Sequence, residues 1–93
     1  MTSTEICAKY ETSLTAFAEM CGVDTRSAQY FVEQVYRGMQ QGLTLEAAVE
    51  HGQAVVTELT NQFLAGIQRR PEAARDFVAS CHGDLVAVAR RVA

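Results

Sequence analysis

Apolar residues recur along this chain at helical spacing almost throughout. Ile6, Tyr10, Leu14, Phe17 and Cys21 follow one another at steps of four, four, three and four, which predicts a helix over residues 3–21. Thr2 or Ser3 is its expected N-cap, because a short hydroxyl side chain can accept from an unpaired N–H of the first turn. Gly22 is the expected left-handed residue that ends it. Asp24 then caps a second helix over 24–41, with Ala28, Phe31, Val32, Val35 and Met39 on one face and Gly42 as its stop. Thr44 caps a third, over 45–68, where Glu46 also favours the positive end of the helix dipole. Pro71 suits the first turn of a fourth, over 71–91, since its missing N–H is unneeded there. Phe77, Cys81, Leu85, Val88 and Val92 carry the period through Gly83, so one continuous helix is expected, with a break at His82-Gly83 as the alternative. No segment alternates as a half-buried strand does. The expected fold is all-α, a compact bundle of four helices (about 3–21, 24–41, 45–68 and 71–91) with short connections, in a single domain over residues 1–93.

The third helix carries a seven-residue repeat, Leu45, Ala48, Gly52, Val55, Leu59, Phe63 and Gly66, with Val49, Val56 and Ile67 beside it. Such a seam packs along a neighbouring helix. Gly52 and Gly66 each weaken the helix by about 1 kcal/mol relative to alanine, so another backbone is expected to pass close to them. A homodimer through this seam is one way to supply it.

Composition narrows the class. At 48% hydrophobic and 20% charged, the chain is globular and not disordered. No run of about 18 uninterrupted apolar residues is present to span a membrane. The stretch MTSTEICAKYETS lacks the basic start and apolar run of a signal peptide, so a cytoplasmic protein is expected. Cys7, Cys21 and Cys81 are odd in number and match no zinc spacing. Cys7 and Cys21, fourteen residues apart on one predicted helix, are about 21 Å apart along its axis and cannot pair with each other. Three small buried apolar side chains is the expectation. The net charge of −3 is uneven: residues 1–68 carry three basic and eight acidic groups, residues 69–93 five arginines against three acids. An acidic chain binds nucleic acid poorly without sequence selection. Arg69, Arg70, Arg90 and Arg91 fall at predicted helix ends, where cations favour the dipole.

Chemistry is sparse. Cys81 and His82 are adjacent, so on a helix they point about 100° apart and do not share a partner. Glu46 and Glu50 share a face, but His51 stands one step round it, so the pair reads as a solvated acidic face and not as metal ligands. The six glycines are scattered singly and form no phosphate loop. The expectation is a non-enzymatic protein with no catalytic residue, metal or cofactor.

Residues 14–33 resemble the helix-turn-helix of bacterial and phage repressors. Ala18 is the small residue where two helices cross, Gly22 stands four residues later in the turn, and Val23 follows it. Phe17, Cys21, Ala28 and Phe31 fall at the packing positions. The resemblance implies that the second helix enters the major groove, with Thr25, Arg26, Gln29 and Tyr30 meeting bases or phosphates.

The same helix suits a protein partner. At 100° per residue, Tyr30 is expected to point almost directly away from the core, with Arg26, Glu33 and Arg37 on its side. Tyrosine and arginine often anchor interfaces. The leading expectation is a small soluble module, an inhibitor, adaptor or assembly factor of the phage or mobile-element kind. It would dock Arg26, Tyr30, Glu33 and Arg37 on a larger protein partner. The alternative is a DNA-binding transcriptional regulator that uses the helix-turn-helix.

Overall fold

The computed structural model describes the backbone of residues 2–92 and the side chains of residues 2–88. Among these residues the chain is all-helical and folds as α1 (Ser3–Lys9), α2 (Glu11–Cys21), α3 (Thr25–Gln40), α4 (Leu45–Leu59), α5 (Asn61–Arg69), α6 (Glu72–Ser80) and α7 (His82–Val92). In place of the four expected helices, seven are present among the described residues. Three of the expected helices are each bent into two.

None of the three bends uses glycine or proline. Tyr10 adopts φ −109° and ψ 32° between α1 and α2. It still donates to Ile6 at 3.0 Å and accepts from Leu14 at 2.8 Å, so little backbone bonding is lost. The bend is held from outside: Asp84 at the start of α7 accepts from the Tyr10 hydroxyl at 2.6 Å and from Lys9 Nζ at 2.9 Å. Thr60 is fully extended at φ −150° and ψ 125° and caps α5 by accepting from the Gln62 N–H. Cys81, at φ −110° and ψ 15°, ends α6. The expected continuous helix over 71–91 is therefore broken, and one residue earlier than the His82-Gly83 alternative. Gly83 lies within α7.

The expected caps are in place where the signal is local. Thr2 and Glu5 form a reciprocal capping box. Asp24 accepts from the Ser27 N–H at 2.8 Å and Thr44 from the Ala47 N–H at 3.2 Å. Gly22 takes φ 68°, and the Val23 N–H returns to the Ala18 carbonyl at 3.0 Å, closing the C-terminus of α2 as a Schellman turn.

α3 is the central helix, packed against α1, α2, α4 and α7. The core is organised around phenylalanine. Phe17 of α2 stacks on Phe77 of α6 at 5.3 Å, meets Phe31 of α3 at 5.4 Å and Phe63 of α5 edge-on at 6.2 Å. All four phenylalanines of the chain are in this cluster.

The bend at Thr60 changes the expected seam. Ala48, Gly52 and Val56 are the buried positions of α4, and Phe63 and Gly66 those of α5. Val55 is only half-buried and Leu59 is 67% exposed, because the turn at Thr60 starts a new phase. Both seam glycines are used inside the fold. Gly66 crosses the end of α2, where an added Cβ would stand 2.6 Å from Cys21 Cα. Gly52 is faced by the Val35 and Phe31 side chains and not by a backbone. Both glycines are buried within the single chain. Among the described residues no helix is long and apolar enough to cross a membrane.

Candidate functional site

The bend at Tyr10 lays α1 alongside α3. Between them runs an open groove of about 630 Å³. Thr25, Arg26, Gln29, Tyr30 and Glu33 form the α3 wall. Ser3, Thr4, Cys7, Ala8, Glu11 and Leu14 form the other.

The structure brings three of the four expected partner-binding residues, Arg26, Tyr30 and Glu33, into this one groove. It corrects the orientation of Tyr30. The ring does not point away from the core: it is half-buried and packs on the core margin, because α1 covers the side of α3 expected to be free. Arg26 is exposed. Arg37 is outside the groove, one turn further along α3, where its Nη2 donates to Glu33 Oε1 at 2.7 Å. Arg37 thus reaches the groove only by holding Glu33. Exposed pairs of this i,i+4 kind contribute about 0.5 kcal/mol. Thr25, Arg26, Gln29 and Tyr30 of the DNA-binding alternative share the α3 wall, with α1 standing beside them.

The groove is mixed in chemistry. Cys7 and Leu14 give it an apolar floor, Glu11 and Glu33 place two carboxylates on it, and Arg26 one cation. Burial pushes the Cys7 thiol above its ordinary range, and the nearby Glu33 charge adds to that. The α1 wall is fixed at its far end by Asp84. The Tyr10 hydroxyl and then Lys9 hold the Asp84 carboxyl below the usual range. The Lys9 ammonium also sits 5.3 Å from the centre of the Tyr10 ring.

Sequence reasoning misses the α1 wall. Its one signal is Cys7, a buried apolar residue beside the Ile6–Tyr10–Leu14 stripe.

The other chemical candidates are dispersed. Cys81 is fully buried and its thiol is pushed up to about 11, chiefly by burial, while donating weakly to the Phe77 carbonyl at 3.5 Å. A buried thiol so protonated is a poor nucleophile. His82 and His51 are exposed. Glu46 and Glu50 lie exposed on α4, and no group of three His, Cys, Asp or Glu that could hold a metal is found among the described residues. Arg69 does more than end its own helix. Its Nη2 reaches back to the Met20 carbonyl at 3.5 Å, so it caps α2 across the fold. Arg70 ends α5, and the side chains of Arg90 and Arg91 lie outside the described residues.

No family model, curated protein or solved structure matches this chain. The groove's function therefore rests on its own chemistry.

Proposed function

We infer that this is a small non-enzymatic protein-binding module, an inhibitor, adaptor or assembly factor, that engages a segment of a larger protein in the α1–α3 groove. The observation that carries the reading is the convergence of Arg26, Tyr30 and Glu33 with an apolar floor in one open groove. Tyr30 is held on the core margin, so little rotamer freedom is lost when a partner covers it. Arg26 and Glu33 offer charges of opposite sign about that ring, which favours one orientation of a partner over others. The absence of strong net charge suits a selective protein contact more than phosphate neutralisation.

The test is direct binding. Partners captured from the native lysate after nuclease treatment are identified, purified and titrated against the wild type, Tyr30→Ala and Arg26→Ala. Loss of about tenfold or more in affinity is expected for each, with the thermal midpoint unchanged for the exposed Arg26→Ala and lowered for Tyr30→Ala, whose ring packs on the core margin. Unchanged affinity for every captured partner refutes the choice of groove. Binding to a DNA duplex that falls steeply with salt and is lost with Arg26→Ala refutes the protein-docking reading in favour of the helix-turn-helix regulator.

A further inference from the structure

A second groove, of about 530 Å³, separates α4 from α6 and the start of α7. Its floor is apolar: Leu45 and Val49 from α4 are half-buried and Val78 from α6 is buried. Its rims carry opposite charges. Glu46 and Glu50, one turn apart, stand exposed on the α4 rim. Arg75 of α6 stands exposed on the other, with His82 beyond it. None of Glu46, Glu50 and Arg75 has an ion-pair partner among the described residues, because the groove holds the two rims apart.

We propose that this groove is a homodimer interface, occupied by the same face of a second copy of the chain. The charge arrangement selects that occupant. A two-fold axis lying along the groove turns the second copy over, so that its α4 rests on the first copy's α6 and its α6 on the first copy's α4. The Glu46/Glu50 rim of each copy then meets the Arg75 rim of the other, twice per dimer, and the two apolar floors face each other across the space the grooves enclose. A two-fold axis across the groove would instead set α4 on α4 and place four carboxylates together. The face is thus self-complementary in one orientation and self-repelling in the other, a contrast that fixes register in a symmetric interface. The interface is independent of the α1–α3 groove, whose residues lie on other helices. It is also distinct from the seam glycines, which are consumed inside the fold.

The test is sedimentation equilibrium of the full chain and of two charge-reversed variants, Glu46→Lys/Glu50→Lys and Arg75→Glu. Each variant is checked for wild-type helical circular dichroism. The wild type is expected at twice the 10.2 kDa chain mass at micromolar concentration. Each variant alone is expected to dissociate at least tenfold more readily, since both of its rims then carry one sign. An equimolar mixture of the two is expected to recover the dimer, because the lysine rim of one then faces the glutamate rim of the other. That rescue separates a lost interface from a lost fold. A wild type monomeric across this range overturns the proposal, including the case in which the groove takes some other protein's helix. A dimer that neither variant weakens, or a mixture that stays monomeric, overturns it equally.

Discussion

Gly66→Ala isolates the crossing of α5 over α2. An added Cβ would lie 2.6 Å from Cys21 Cα and 2.7 Å from its carbonyl carbon, and closer still to the carbonyl oxygen. Carbon atoms rest comfortably at about 3.5–4.0 Å, so the two helices must separate by roughly 1 Å. No side chain can swing aside, because the obstacle is backbone. Overpacking of this kind costs about 1–3 kcal/mol, and a backbone obstacle places it at the upper end. Alanine's better helix propensity offsets about 1 kcal/mol. The net expectation is destabilisation by about 2 kcal/mol, a fall in midpoint of roughly 8–16 °C for a domain of this size. The internal control is Gly83→Ala in α7, where an added Cβ meets nothing within 4 Å. There only the propensity term remains, reduced because Gly83 is in the first turn of α7, and stability should rise by about 0.5 kcal/mol. Urea unfolding monitored by circular dichroism measures both. If Gly66→Ala is as stable as Gly83→Ala, the close crossing at Cys21 does not exist as described.

Two further perturbations probe the core and the bend at Tyr10. Phe17 touches three aromatic rings whereas Phe77 is paired with one, so Phe17→Leu should cost about 1–3 kcal/mol more than Phe77→Leu in urea unfolding, at about 0.5–1.5 kcal/mol per ring pair. Equal costs would remove Phe17 from the centre of the cluster. The lowered Asp84 carboxyl contributes stability that is present above its unfolded pKa and lost as pH falls through its folded one. Asp84→Asn should therefore lower the thermal midpoint at neutral pH, and the gap from wild type should close in acid. A gap that persists unchanged at low pH would mean that the carboxylate does not hold the bend.

Local signals in the sequence are legible and long-range ones are not. Thr2, Gly22, Asp24 and Thr44 act within a few residues of themselves, and each does what its side chain or backbone freedom implies. Period alone assigns Phe31 and Val35 to the core, and they are in it. The bends escape because apolar period continues through them. Ile6, Leu14 and Phe17 stay in phase across Tyr10, yet the helix turns there, where the Tyr10 hydroxyl donates to Asp84, seventy-four residues away. Only Thr60 carries a local hint, as a threonine able to cap the first turn of α5. The same blindness misjudges Tyr30. Its ring packs on the core margin beside α1, and nothing within α3 could reveal that neighbour. Arg69 repeats the lesson, since its position marks the end of α5 while its guanidinium serves α2.

The three joints at Tyr10, Thr60 and Cys81 limit how the chain can be cut up or borrowed from. Their flanking helices run 7 to 15 residues, too short to persist alone in water. No residue at these joints forbids a straight rod. Excised, residues 3–21 lose both the Asp84 carboxylate that accepts from Tyr10 and Lys9 and the α3 surface on which α1 packs. The corner is thus a property of the assembled molecule and not of the segment that makes it. A graft of the α1–α3 groove onto another scaffold would have to carry the start of α7 with it to keep the Asp84 hydrogen bonds that clamp the far end of its wall.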